Sequence, residues 1–543
     1  MNRIIFTFCL LFLILNSCTY YLGPNQWENS FPEETFVIPR LVSDKSLDRK
    51  EKLSLIEGEL QNYAKRDIHE WNAKFKDTIL NTRYLFAQLL LQKDIAYLNQ
   101  EILKHQAWGT TGTSGFTNKK GDYDFSQIQW VNILFYFKDA PEILYPNSAQ
   151  HIIDALIIDK GSRPTLKAPH TLGLLRETEN HILMKEISRY LQNQWLFEKY
   201  GLEKNDNSKN GMQDFLISHL QNMLKTGFFE FNANPYISYT FEALHVLHSC
   251  ANNNMILELS AAVISAEHWQ YALGSYQLKK YSPFRRRMSR SNITSLYGDR
   301  HNVLIRAELA KANQTILAEK DLSCCFDRTL TTVLSNYQLP NQIKAMIEEK
   351  PVKYFAKIGH GLKSSPEIYY GTTDYLLSAG GLRYGKKSQI VPRPSTLLLN
   401  DESKDISECF HVASEKKLNQ WNNTGVYRQL MVSPEPIYIP KTYHEIAKKE
   451  DWQIFKPYND KALYICVLNI KGLGILYLGD QNYEKVLNQN NDKASLQKRF
   501  IAADHKTIEY QLHSKKKWII SSIDGQKQQR KFKKWSRFDV SFD

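Results

Sequence analysis

The chain has 543 residues, 42% of them hydrophobic and 23% charged, a balance that excludes a disordered tail, a collagen and a coiled coil. At about 100–200 residues per domain, its length predicts two to three domains. A formal net charge of +13 points to an anionic partner: nucleic acid, an acidic membrane or an acidic polymer.

The chain opens on Arg3 and an apolar run from Ile4 to Leu15. That run is too short to span a bilayer, which takes about 20 residues, and has the size of a signal-peptide core. Leu15-Asn16-Ser17-Cys18 follows and resembles a bacterial lipobox, in which the Cys becomes acylated. The expectation is a lipoprotein signal peptide over 1–17, lipidation at Cys18, a tether over 18–45, and a lipid-anchored place in the bacterial cell envelope. Export removes intracellular nucleic acid from the partners. Cys250, Cys324, Cys325, Cys409 and Cys466 remain. Odd and scattered, they are no disulfide framework, and the absence of a C-x-x-C pair leaves a thiolate zinc site unsupported.

Apolar residues at helical spacing predict helices over 85–102, 180–197, 212–224, 241–250, 255–273 and 303–317. Pro141, Gly161, Gly201 and Pro235, among others, separate them. Long helices in irregular loops without a fixed period predict an (α/α) toroid or solenoid over 46–345 rather than a short-repeat array. Short β-like runs then take over at 367–370, 395–399, 462–470, 474–478, 507–512 and 517–522. Regular short strands predict an antiparallel β-sandwich over 346–543, with the boundary between Pro340 and Tyr354. The fold class is therefore α+β and multidomain. Residues 351–543 hold 31 basic and 20 acidic side chains, the preceding 350 hold 39 and 37. The excess charge belongs to the β region, so net charge says nothing about a substrate of the helical half.

Four constellations are rich in chemistry. Glu177-Thr178-Glu179-Asn180-His181 starts a helix that Thr178 or Asn180 is placed to cap, and it sets an amide and a titratable base beside two carboxyls. Glu230-Phe231-Asn232-Ala233-Asn234-Pro235-Tyr236, with Tyr239-Thr240, reads as a polar loop between helices, where a rigid scaffold presents a site. Lys279 to Arg287, with Tyr297 and Asp299-Arg300-His301, offers guanidinium groups suited to carboxylates or sulfates. Trp108 to Gly115 is Gly-rich but lacks the Gly-Lys-Ser/Thr ending of a phosphate loop, and suits the lining of a sugar cleft. No Gly-x-Ser-x-Gly elbow or H-E-x-x-H helix occurs.

Asn180-His181, the Asn232-to-Thr240 loop with Glu242-Ala243-Leu244 beyond it, and Tyr281-Ser282-Pro283-Phe284-Arg285-Arg286 are suggestive together. So is Glu367-Ile368-Tyr369 leading to Leu376-Leu377-Ser378-Ala379-Gly380-Gly381. The chain resembles large secreted bacterial proteins with an (α/α) toroid and a β-sandwich, whose characterised relatives are polysaccharide lyases of the heparinase II/III, chondroitin AC lyase and alginate lyase type. The resemblance implies β-elimination at a uronic acid, without a cofactor or metal, by a monomer acting on an acidic polysaccharide. It implies Asn180 as neutraliser of the substrate carboxylate and His181 as base. Tyr236 or Tyr239 would be acid, or both acid and base, and Arg285 or Arg286 would grip substrate acids. Glu177, Glu179, Glu230, Asn232 and Trp108 are the further substrate-binding candidates. Asn180 and His181 are neighbours, and adjacent helical residues diverge by about 100°, so only a helix end lets both face one cleft. The alternatives are a glycoside hydrolase drawing two carboxyls from Glu177, Glu179, Glu230 and Asp299, and a non-catalytic glycan-binding lipoprotein.

Overall fold

The computed structural model describes residues 47–70, 79–112, 121–174, 176–234, 236–281, 294–317, 326–350, 352–360, 366–380, 395–412, 424–433, 435–457, 462–470, 473–484, 501–502, 508–510, 518–520 and 536–542. Cys18, the leader and tether, Arg285 and Arg286, and most of the basic C-terminal stretch lie outside the described residues.

Helices occupy the chain as far as Glu348. They are α1 (Arg49–Ser54), α2 (Glu57–Tyr63), α3 (Thr82–Leu90), α4 (Ile95–Lys104), α5 (Asp124–Tyr136), α6 (Pro146–His151), α7 (Glu179–Tyr200), α8 (Asn207–Asn210), α9 (Met212–Thr226), α10 (Tyr236–Cys250), α11 (Asn254–Gly274), α12 (Arg300–Asn313), α13 (Phe326–Leu334) and α14 (Asn341–Glu348). α5, α7 and α10 pack on one another and are buried on nearly every side over most of their length. Such helices carry polar residues into the interior, and those need partners. Gln127 donates to Asp159 and accepts from the Ile158 N–H, while Gln192 donates to the carbonyls of Ile153 and Ile157.

Two predicted helices need correction. The span 85–102 is broken into α3 and α4, because Gln92 and Asp94 take φ of 53° and 43° and turn the chain. Leu85, Leu89, Leu98 and Ile102 still share one core, which is why the spacing looked continuous. The span 303–317 stops at Asn313, where Gln314 adopts the left-handed conformation, and the Leu317 N–H bonds the Leu55 carbonyl instead. α5 has no counterpart in the sequence reading.

Strands follow: β1 (Tyr354–Ile358), β2 (Glu367–Gly371), β3 (Tyr375–Gly380), β4 (Ser395–Leu399), β5 (His411–Val412), β6 (Gly425–Tyr427), β7 (Leu430–Ser433), β8 (Ile437–Tyr438), β9 (Ala447–Lys449), β10 (Trp452–Phe455), β11 (Tyr464–Ile470), β12 (Leu473–Gly479), β13 (Ile501–Ala502), β14 (Ile508–Tyr510), β15 (Trp518–Ile520) and β16 (Asp539–Phe542). One antiparallel sheet runs β16-β1-β2-β3-β4-β5-β8 and a second runs β6-β7-β12-β11-β10-β9, with β13-β14-β15 as a small third. The architecture is α+β.

Side chains alternate across a strand, and the first sheet is buried on both faces. Ile368, Tyr370, Leu377 and Leu397 share an apolar cluster with Val426, Met431, Val467 and Leu476 of the second sheet. Tyr369, Leu376 and Leu398 turn the other way and pack with Tyr271 and Leu273 of α11 and Ile343 and Met346 of α14. The first sheet is thus the middle layer between helices and second sheet. No helix among the described residues is long and apolar enough to cross a membrane.

Candidate functional site

The start of α7 is the centre of the site. Thr178 is its N-cap residue but makes no side-chain cap bond. Its hydroxyl donates to Asn180 Oδ1 at 3.0 Å, so neither residue caps the helix as the sequence predicts. Asn180 is buried, and its Nδ2 has no hydrogen-bond partner among the described residues. Glu177 accepts the Thr178 N–H at 2.9 Å and lies 3.9 Å from Lys185 Nζ. Gly112, at φ +105°, presses on the same carboxylate, and a Cβ there would collide with Glu177 Oε2. The Gly-rich stretch therefore serves close backbone approach. Trp108 packs edge-on to Tyr123, with ring centroids 5.4 Å apart, next to the first residue of α5.

That residue, Asp124, was missed. His181 Nδ1 meets Asp124 Oδ2 at 2.5 Å, with the imidazole 7% exposed and the carboxylate fully buried. Burial opposes a charged imidazole. The Asp124 charge and hydrogen bond, helped by Glu177 and Asp122, outweigh it and hold the His181 pKa at about 9. At neutral pH the ring is an imidazolium, a proton donor rather than a base.

Phe125 bridges this pair to α10. Its ring lies 5.2 Å from His181 and 4.4 Å from Tyr239. Arg328 of α13 lays its guanidinium 4.4 Å from the centroid of the Tyr239 ring, a cation–π contact. Tyr236 and Tyr239 are not loop residues, because α10 begins at Tyr236. Both are half-buried. The structure thus brings together His181, Tyr239, Asp124 and Arg328, with Asn180 next to His181 in sequence and bonded to Thr178. Their positions are 124, 180–181, 239 and 328, a separation that no local motif records.

Glu179 faces away from His181. It accepts the Phe229 N–H at 3.2 Å, and its other oxygen is buried without a hydrogen-bond partner. Burial, with the Glu230 and Glu267 charges nearby, pushes its pKa to about 8. Glu230 and Asn232 belong to this second group, at the junction with the first sheet. Asn232, at φ 50°, accepts from Lys280 Nζ at 3.0 Å. Phe231 stacks on His360 at 3.4 Å, and His360 Nε2 bonds Glu367 of β2 at 2.6 Å. The sequence-predicted residues therefore split between two sides of one helical turn. Asp299 caps α12 through the His301 N–H, and its charge acts on Tyr271 and Tyr369 beside this second group.

Asp122, Asp124 and His181 also bring one donor atom each within 4.8 Å of one another, a set able to approach one cation. The short His181–Asp124 hydrogen bond already uses two of its members. Neither protein-family models nor curated proteins give a match to this sequence.

Proposed function

We propose that the chain is a cell-envelope lipoprotein, anchored through Cys18, that degrades an acidic polysaccharide by β-elimination at a uronic acid. The reading takes the helices as an (α/α) toroid and the two large sheets as a β-sandwich. The observation that carries it is the grouping of an imidazolium, an unpaired amide donor and a phenol beneath a guanidinium around the start of α7.

In β-elimination the proton alpha to the carboxylate is weakly acidic, and its loss builds negative charge on the carboxylate as an enolate. Donors aimed at that charge lower the barrier. Asn180 Nδ2 and the His181 imidazolium suit this task. A proton already on His181 means that the base role passes to Tyr239, which as the phenolate takes the alpha proton and, now a phenol, gives it to the leaving glycosidic oxygen. Arg328 braces the ring. Trp108, Tyr236 and Glu177 are the further substrate contacts on this side, Glu230 and Asn232 lie with Glu179 on the other side of the turn, and Arg285 and Arg286 hold further acid groups of the chain-like substrate.

One observation favours hydrolysis instead. Glu179 keeps its proton near neutral pH, as a general acid of a glycosidase does. A single assay separates the readings. The full chain is incubated with glycosaminoglycans, alginate and pectin, and the ultraviolet absorbance of the unsaturated uronate product is followed. A rise supports elimination. New reducing ends without that absorbance support the hydrolase. Binding without either product leaves a glycan-binding protein.

A further inference from the structure

A second group of buried histidines lies near the opposite end of α10. His245 of α10, His268 of α11 and Glu308 of α12 each bring a donor atom within 4.8 Å of the other two. All three side chains are buried. His245 Nε2 and Glu308 Oε1 are 3.8 Å apart, too far for a hydrogen bond. Those two atoms and His268 Nε2 have no hydrogen-bond partner among the described residues. Three unpaired polar atoms turned toward one another inside a helical core are costly unless something sits between them.

The outer contacts fit a metal centre. His245 Nδ1 pairs with Ser335 Oγ at 3.1 Å, and His268 Nδ1 with His301 Nε2 at 3.0 Å. With each Nδ1 donating its hydrogen there, each Nε2 keeps a lone pair directed inward, the tautomer that a hydrogen-bond acceptor on the far ring nitrogen imposes on metal-ligating histidines. Lys311 Nζ holds the other Glu308 oxygen at 3.0 Å and donates to the Thr332 and Tyr337 carbonyls, which fixes the carboxylate's orientation. Phe241 stacks on His268, with centroids 4.9 Å apart, and forms an apolar wall. A cleft of about 450 Å³ adjoins His245 and its partner Ser335.

We propose that His245 Nε2, His268 Nε2 and Glu308 Oε1 bind one Zn²⁺, with a solvent oxygen as fourth ligand. Two imidazoles and a carboxylate suit zinc, which takes four ligands at about 2.0–2.2 Å. A tetrahedral edge at those lengths is about 3.4 Å, so the three atoms draw in slightly on binding. The ligands come from three successive helices, so the ion would tie α10, α11 and α12 together. The site is separate from His181 and stands whether or not the chain is a lyase.

The test is metal content and metal-linked stability of the full chain. Protein stripped with EDTA is titrated with Zn²⁺ by calorimetry and melted with and without the ion. The expected result is one Zn²⁺ per chain and a higher melting temperature when loaded. His268→Gln and Glu308→Gln weaken binding at least a hundredfold, Ser335→Ala about tenfold to a hundredfold, and His181→Gln leaves the stoichiometry at one. If the variants fail to fold, Co²⁺ loaded into the unaltered chain decides, because four-coordinate N/O ligation gives intense visible bands and six-coordinate surface binding does not. No bound Zn²⁺, retention of Zn²⁺ by folded His268→Gln and Glu308→Gln, loss of Zn²⁺ in His181→Gln, or a six-coordinate Co²⁺ spectrum would each overturn the proposal.

Discussion

Two buried histidine groups, one near each end of α10, are built from the same residue types and reach opposite charge states. At the start of α7, one imidazole faces Asp124 with Glu177 and Asp122 close behind, and stays protonated up to a pH of about 9. Further along α10, His245 and His268 face the single carboxylate of Glu308, which Lys311 already engages, and burial, with the Lys311 charge close by, holds both imidazoles below the ordinary histidine pKa. Burial alone favours the neutral ring in both places. The balance of carboxylates against nearby cations decides the outcome, so a charged imidazole of α7 stands by one end of α10 and neutral imidazoles of α10 and α11 stand by the other.

The contrast breaks hardest at Asp124. Asp124→Asn leaves His181 buried with its closest counter-charge removed, and is expected to cost about 3–5 kcal/mol of stability. Turnover on the polysaccharide should fall by at least about a hundredfold, the scale of losing one aligned transition-state donor. Denaturant titration and an NMR pH titration of His181 check this. A His181 that stays charged without Asp124 would end the comparison. The junction of the two regions offers a similar probe. Arg537 and Glu267 pair at 2.6 Å, both buried, so Arg537→Ala strands the Glu267 carboxylate and should cost about 3 kcal/mol in the same titration.

The alkaline limb of stability comes next. His181 rises from 6.5 to about 9 on folding. Its contribution is complete below pH 6.5 and lost as pH climbs through 9, about 3 kcal/mol in all. Glu179 rises from 4.5 to about 8, so its contribution is present below pH 4.5 and fades as pH passes 8. Both groups weaken the fold in the same direction. Urea unfolding at pH 6 and pH 9.5 should show the decline, and His181→Gln should flatten its upper part. Smallest in stability is Tyr239→Phe, expected within about 1 kcal/mol of the parent. It should nonetheless abolish turnover, while Tyr236→Phe retains it. Equal loss in both would move the proton-transfer role away from Tyr239.

Much of this fold was legible because its elements announce themselves by period. The predicted strand at 395–399 matches β4 residue for residue, and α9 and α11 begin or end within two residues of the predicted spans. Periodicity failed where two left-handed residues, Gln92 and Asp94, broke a helix without interrupting its core. It also passed over α5, whose interior polar residues blur any apolar stripe. The site was half legible. Asn180, His181 and Tyr239 stood out because amide, imidazole and phenol cluster at helix starts. Asp124 and Arg328 did not, since an acid opening an unrecognised helix and a lone arginine have no local signature. Their role appears only when α5, α7, α10 and α13 come together. His245, His268 and Glu308 sit on regular helices and look in sequence like ordinary core and face residues.

β16 pairs along β1 with Phe542 opposite Tyr354 and Asp539 opposite Lys357. Without it, β1 would be the rim of the seven-stranded sheet, offering a row of bare N–H and C=O groups to any other extended chain. The segment that covers this rim lies more than 180 residues downstream of it, a long loop to close during folding. A chain emerging from a ribosome or a translocation pore therefore passes through a stage in which β1 to β5 are made and their guard is still missing. Self-association is to be expected at that stage, and the aromatic-rich edge at Tyr354 and Phe355 is where it would start.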